Sequence, residues 1–337
     1  VEFQVGSGDA GTRLDRFLVA RLPDLSRARL QSLVEEGLVR VAGSSRKIAY
    51  RLKSGELVTV TIPPPAPLEL MPEAIPLAIV YEDDHLLVVD KPAGMVVHPG
   101  AGQRSGTLVH ALLAHTPSIA GVGGAGRPGI VHRLDKGTSG LLVAAKTAEA
   151  YRSLTRQLVA RTVSRRYLAL LYGEMRTAEG IIEAPIGRHP RDRIRMAVRP
   201  EGKGKAAVTH FTVRERFRGF TLIEARLGTG RTHQIRVHMA EAGHPIVGDE
   251  TYRSRSQPLP DDSFLRLIER LQGHALHAIQ LSFIHPVTGT LATFHALLPE
   301  RIERLLSHLR ITRPLSGVAN THPPKFSGKK LTIPPLR

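Results

Sequence analysis

Read for apolar spacing, the chain begins with two short stripes of helical period. Leu14, Phe17 and Leu18 fall at i, i+3 and i+4, and Leu30, Leu33 and Val34 repeat the spacing, which predicts two amphipathic helices. Ser26 stands where an N-cap oxygen is wanted, and Gly37 where a helix leaves through a left-handed residue. The period then changes. Val58, Val60 and Ile62 alternate with Thr59 and Thr61, the signature of a half-buried strand over Leu57–Ile62. Pro63-Pro64-Pro65-Ala66-Pro67 follows. Prolines lack the amide donor and fix φ, so neither helix nor central strand continues, and a small module over 1–70 ends in a semi-rigid spacer.

Beyond it, short apolar runs dominate. Ala78–Tyr81 and Leu86–Val89 flank Asp83-Asp84 as a hairpin; Gly140–Lys146, Val163–Tyr172, Val208–Arg216, Phe220–Arg226, Leu276–Ile284 and Leu291–Ala296 read as further strands. The last two are joined through Pro286-Val287-Thr288-Gly289, a turn sequence. Helical spacing returns at Leu108–Leu113, at Thr232–Ala242, and through Val159 behind Thr147 as N-cap with Glu149 in the first turn. Most strands follow one another too closely for parallel crossovers, so the sheet is expected to be largely antiparallel. The predicted class is α+β: a small N-terminal α/β module, a mostly antiparallel mixed-sheet domain over 71–310, and a basic tail over 311–337. That tail holds no acidic residue from Gly317 onward and is expected to be flexible. Arg188–Lys205, basic and broken by Pro190 and Pro200, reads as an excursion between strands that either grips phosphate or is merely solvated.

Composition narrows the chemistry. The 337 residues suffice for two domains with a sizeable core. With no cysteine, disulfide frameworks, thiolate zinc sites, iron–sulfur ligation and cysteine nucleophiles are excluded. Lys and Arg outnumber Asp and Glu by 47 to 30, a net charge of +17, which favours a nucleic-acid partner over the alternative of charge for solubility alone. Aromatic residues make up only 4% and tryptophan is missing, unlike single-strand binders that stack bases on rows of rings, so folded RNA is the expected partner. No apolar run approaches the roughly 18 residues of a membrane span, and Val1–Val5 lacks a signal-like start. Neither membrane insertion nor secretion is expected, and a reducing cytoplasm fits.

Gly121-Val122-Gly123-Gly124-Ala125-Gly126 matches the dinucleotide-binding pattern in letters, but prolines flank it where a strand and a helix would be needed. His233 with His238, and His274 with His277, lack the helical spacing and nearby carboxylate of a metal site, and no metal or cofactor is expected. Val131–Asp135 is different. If extended, it turns Arg133 and Asp135 to one side and is followed by glycines, a threonine and a serine that permit a sharp turn before an apolar strand. A second Gly-rich segment, from Leu227 to His238, places Arg231 at a helix start, where a cation needs an anionic partner; Asp135 is one candidate.

These segments carry a resemblance. His132-Arg133-Leu134-Asp135-Lys136-Gly137-Thr138-Ser139-Gly140, Arg165-Arg166-Tyr167-Leu168-Ala169 and Gly230-Arg231-Thr232-His233-Gln234-Ile235-Arg236 resemble, in order, three signatures of the RluA/RluD family of pseudouridine synthases. Arg165 stands where relatives commonly have lysine. The module containing Ser26-Arg27-Ala28-Arg29-Leu30 and Gly37-Leu38-Val39-Arg40 resembles the small RNA-binding module first described in ribosomal small-subunit protein four. Together with Arg188-His189-Pro190, it places the chain nearest the branch that acts on large-subunit ribosomal RNA.

The resemblance implies a cofactor-free, monomeric enzyme that isomerises uridine in a stem-loop of large-subunit rRNA or a precursor particle. It implies Asp135 as catalytic carboxylate, Arg231 as its cationic partner, Tyr167 against the uracil, Arg133 filling the space left by the flipped nucleotide, and Leu276 as an apolar wall. Arg27, Arg29, Arg46 and Lys47 would contact RNA from the N-terminal module. Whether Asp135 attacks the sugar, adds to the base or assists elimination stays open. An RNA-binding assembly factor on the same scaffold is the competing reading.

Overall fold

Where the two helical stripes fall, the chain forms α1 (Leu14–Arg21) and α2 (Arg27–Glu35). Gly37 ends α2 as predicted: its φ is 72°, its amide donates to Val34 O at 3.1 Å, and the Leu38 amide donates to Leu33 O at 2.9 Å. That double closure is a Schellman exit, which only a residue at ease in the left-handed region makes cheaply. The structure, a computed structural model, describes all residues except 24, 26, 64–69, 101, 125, 193, 254–260, 316–329 and 332–337. The Ser26 cap, most of the proline spacer and most of the basic tail lie outside the described residues.

The described chain divides into two units, Val1–Leu68 and Glu69–Arg337. In the first, β1 (Glu2–Gln4), β2 (Val39–Val41), β3 (Ser44–Ser45) and β4 (Leu57–Val60) form an antiparallel sheet in the order β1-β4-β2-β3. Val58 and Val60 point into a core with Leu14, Phe17, Leu18, Leu30 and Leu33. Pairing of β4 stops at Val60 because its partners end there, and Ile62, expected on the buried face, is 43% exposed.

The second unit is built on one large sheet. Its strands are β5 (Ile79–Glu82), β6 (Leu86–Lys91), β7 (Ser139–Ala145), β8 (Ser164–Tyr172), β9 (Glu179–Glu183), β12 (Val208–Phe217), β13 (Phe220–Leu227), β14 (Leu276–Ile284) and β15 (Leu291–His295), with β10 (Ile186–Arg188) and β11 (Met196–Val198) forming a separate ribbon. The central path runs β9-β12-β13-β8-β14-β7-β6-β5, with β15 on β14. It is antiparallel except where β14 meets β7, at His277↔Ser139 and Ala278↔Gly140, and where β16 (Lys330–Leu331) lies along β9. Gly140 makes the first of these contacts possible. A Cβ there would sit 2.4 Å from the Ala278 backbone, so no larger residue allows the two strands to meet. This brings the turn after Asp135 against the start of β14.

Helices α3 (Leu108–His115), α4 (Ala148–Val159), α5 (Gln234–Glu241), α6 (Asp262–Glu269) and α7 (Glu300–Thr312) complete the unit. Thr147 caps α4 as expected, accepting from the Ala150 amide at 3.2 Å. Two expectations change. The basic stretch after residue 188 is no plain loop, since β10 and β11 pair over Ile186↔Val198 and Arg188↔Met196. Helix α7 runs to Thr312, past the start expected for the tail, carried there by a stripe of buried Ile302, Leu305, Leu306 and Leu309.

Candidate active site

Asp135 lies in the connection between β6 and β7. The Ile130 backbone bridges to Ala144 of β7, and the Thr138 amide donates to Asp135 O at 3.1 Å, closing the turn. Gly137 has no room for a side chain: a Cβ would lie 2.9 Å from His274 Nδ1 and 3.0 Å from Gly273 Cα. Val131–Asp135 is not a regular strand. Leu134 is buried, Arg133 is exposed, and the His132 ring turns back to accept the Val143 amide at 3.2 Å. Arg133 and Asp135 nonetheless line the same cavity.

The guanidinium that meets Asp135 is Arg236, not Arg231. Arg236 Nη1 donates to Asp135 Oδ2 at 3.1 Å, while its Nε and Nη2 fork onto Asp249 at 2.6 and 2.9 Å. Arg231 lines the cavity too, but its Nε donates to Ala206 O at 3.1 Å. The reason lies in where the helix starts. The N-cap is His233, with φ 56°, so α5 begins at Gln234 and Arg231 precedes it. Gln234 pins that start: its carbonyl accepts the Arg231 amide at 3.0 Å and the Thr229 hydroxyl at 2.6 Å, and its amide donates to Val208 O at 2.9 Å. Arg236, in the first turn, faces the interior.

A buried guanidinium needs compensation. Burial works against the charge of Arg236, but the hydrogen bonds and charge of Asp249, reinforced by Asp135, outweigh it and hold its pKa above the ordinary value. Burial likewise works against Asp249, and Arg236 overcomes it, keeping that carboxyl below the usual range. Asp249 thus fixes the fork, and the remaining nitrogen is presented to Asp135.

Tyr167 on β8 is 5% exposed and Leu276, at the start of β14, 3%; both line the cavity. Burial raises the Tyr167 pKa, so it is a neutral phenol, able to stack and to donate rather than to act as a phenolate. Arg165, also lining the cavity, reaches Gly230, where a Cβ would come 2.7 Å from its Nη1. Lys91, at the end of β6, is fully buried and donates to Pro92 O and Met95 O, each at 2.8 Å. Burial lowers its pKa to about 7.

The cavity holds about 590 Å³, within the roughly 300–1,000 Å³ of small-ligand sites. Arg127, Arg133, Arg161, Arg165, Arg231 and Arg236 line it with Asp135 as the only carboxylate among the described residues. Such a wall attracts a polyanion.

Residues 85–241 match the model described as RNA pseudouridylate synthase, and residues 12–58 match the S4 domain. The chain is 46% identical to an uncharacterized RNA pseudouridine synthase of Synechocystis over 91% of each sequence. It is 48% identical to ribosomal large subunit pseudouridine synthase D of Xanthomonas campestris, over 89% of this chain and 90% of that one. Human RNA pseudouridylate synthase domain containing 4 superposes on it with a TM-score of 0.55 at 25% identity, covering 69% of this chain and 93% of the human one. The chain belongs to the RNA pseudouridine synthase family.

As an RNA pseudouridine synthase it isomerises uridine in RNA. The antiparallel mixed sheet and the S4 module agree with the fold expected from the sequence. Asp135, Tyr167, Arg231, Arg133 and Leu276 all line one cavity of the synthase. Sequence reasoning gave no place in the site to Arg236, Asp249, His233 or Tyr252. Arg236 stands in the third signature, but that every residue from Gln234 to Met239 is buried shows only in the fold. In the S4 module, Arg46 and Lys47 are exposed beyond β3, and Arg27 is exposed on α2. Arg29 is half-buried, 3.5 Å from Glu36. No helix among the described residues is long and apolar enough to cross a membrane.

Proposed function

We propose that this synthase acts on uridine in large-subunit ribosomal RNA, with Asp135 as its catalytic carboxylate. The relatives named as large-subunit synthases, similar over nine-tenths of the chain, support the substrate. The observation that carries the site is the Arg236–Asp135 contact at 3.1 Å inside a cavity where arginines outnumber the single carboxylate. A uridine stacked in a helix cannot reach a carboxylate so enclosed, so the nucleotide is turned out of the stack, at a cost of a few kcal/mol. Arg133, exposed beside Asp135, takes the vacated space. Tyr167 lies along the uracil face and Leu276 closes the apolar side.

The reaction breaks the N1–C1′ bond, turns the base, and joins C5 to the same sugar carbon. The C5 proton leaves and N1 gains one, so the balance needs no oxidant, reductant or phosphoryl donor. Asp135, its Oδ2 held by Arg236, works at the bond that breaks and forms. Arg231, its amide fixed by Gln234 and its side chain toward Ala206, serves the RNA backbone rather than the carboxylate. The test is tritium release from 5-tritiated uridine in unmodified large-subunit rRNA transcripts. Wild-type protein releases label, and Asp135→Asn retains RNA affinity with no release. An Asp135→Asn variant that turns over normally overturns the role, and a wild type inactive on this RNA overturns the substrate.

A further inference from the structure

A chain of contacts reaches Asp135 from outside the three sequence signatures. The Met196 amide, at the start of β11, donates to the Tyr252 hydroxyl at 2.9 Å. That hydroxyl lies 2.8 Å from His233 Nδ1, and His233 Nε2 lies 3.8 Å from Asp135 Oδ1. Tyr252 is 7% exposed, and the guanidinium carbons of Arg236 and Arg195 lie 5.0 and 5.4 Å from its ring centre. Ring and hydroxyl are therefore both held.

Proton counting assigns the donors. A tyrosine hydroxyl has one proton and can accept as well. The Met196 amide already fills an acceptor position, and among the described residues His233 Nδ1 is the only acceptor for the hydroxyl proton. The hydroxyl therefore donates to Nδ1. The neutral ring then carries its own proton on Nε2, the nitrogen facing Asp135. At 3.8 Å this is too long for a hydrogen bond in the free enzyme, yet it places a donor beside Oδ1 while Arg236 holds Oδ2.

We infer that Tyr252 and His233 are positioning residues of the isomerisation: Tyr252, anchored by the β10–β11 ribbon, fixes the His233 tautomer whose Nε2–H orients the reacting oxygen of Asp135. The inference rests on Asp135 as the catalytic carboxylate. It also gives the ribbon a function beyond charge, because Met196 belongs to it and its amide directs the hydroxyl proton toward His233.

The test uses the full chain on large-subunit rRNA transcripts. Tyr252→Phe keeps the ring between its two arginines and removes only the hydroxyl. It is expected to lower kcat about tenfold with KM for RNA changed less than about twofold, the pattern that follows when an interaction made only in the transition state is removed. In His233→Gln, whose amide nitrogen donates without a tautomer to choose, the added Tyr252→Phe is expected to change kcat by less than about twofold. An equal loss in both backgrounds, or no loss in the wild type, overturns the proposal. Nitrogen-15 spectra of histidine-labelled protein, assigned with His233→Gln, read the tautomer without turnover: Nε2–H in the wild type supports the assignment and Nδ1–H overturns it. Full activity of Asp135→Asn sinks the underlying reading instead, and leaves the tautomer result standing on its own.

Discussion

In the unit Val1–Leu68 the ion pairs stand in solvent: Arg13 and Asp15 keep 41% and 36% of their side-chain surface, and Arg21 and Asp9 keep 46% and 34%. In Glu69–Arg337 the central pair is almost dry, with 7% for Arg236 and 1% for Asp249. The same residue types thus do different work. Exposed pairs are screened and contribute about 0–1 kcal/mol each, so the small unit stands on its apolar core. A dry pair is unscreened, and its value depends on every partner being present. Charge at a surface stays free to meet solvent and ligands; charge taken out of water, as in Arg236, holds a fixed geometry toward Asp135.

The largest effect comes from breaking the dry pair. Asp249→Ala leaves the Arg236 fork buried with only Asp135 to answer it, and the loss of one partner from a buried pair costs about 3–5 kcal/mol. Arg236 also turns away from the geometry that meets Asp135. Urea unfolding monitored in the larger unit is expected to show a reduced midpoint, and tritium release to fall with it. The matched change in the small unit, Asp15→Ala, is expected to shift stability by less than about 1 kcal/mol. Equal effects from the two substitutions would abolish the distinction between the units.

That distinction also marks what could be read from the sequence. The α1 and α2 stripes, the β5–β6 hairpin and the Thr147 cap were legible because each is written within about a dozen residues. That Asp135 and Tyr167 stand in one cavity was foreshadowed by the signatures around them. The glycine turns beside Arg231 and Asp135 suggest that these two pair, but a helix that begins at Gln234 turns Arg236 inward instead. Boundaries are the least certain part of a sequence reading, and a shift of two residues exchanged one arginine for the other. Asp249 and Tyr252 reach the site only through folding of a separate loop, which no local period records. Helix α7 was missed although Ile302, Leu305, Leu306 and Leu309 carry its period. Strand β9 was hidden by Gly180, whose bare Cα makes room for the Phe211 ring.

A second way to sharpen the comparison is acid. All 16 histidines lie in the larger unit, and burial holds His132 near pKa 3 and His98, His274 and His277 near 4. Their folded values are below the unfolded value of about 6.5, so as pH falls the unfolded state takes up protons first. Stability is therefore full above about pH 6.5 and is lost between there and about pH 4, by about 1.4 kcal/mol per pH unit for each histidine. Hydrogen exchange on the full chain is expected to accelerate in the larger unit across this window. The small unit, without histidine, is expected to hold until its carboxylates titrate; simultaneous loss of protection in both units below pH 6 would contradict this.

The smallest expected effect belongs to the exposed cations. Arg27, Arg46 and Lys47 are solvent-facing, so converting all three to alanine disturbs no buried packing and is expected to change stability by less than about 0.5 kcal/mol. Each cation withdrawn from a phosphate lowers the slope of log affinity against log salt by about 0.7–0.9, so withdrawing three flattens it by about 2–3 and weakens binding most at low salt. Because none of them lines the cavity around Asp135, kcat at saturating RNA is expected to be unchanged while KM rises. A fall in kcat with an unaltered salt slope would mean that these side chains act on the chemistry rather than on capture of the RNA, and the division of labour between exposed and buried charge would not hold.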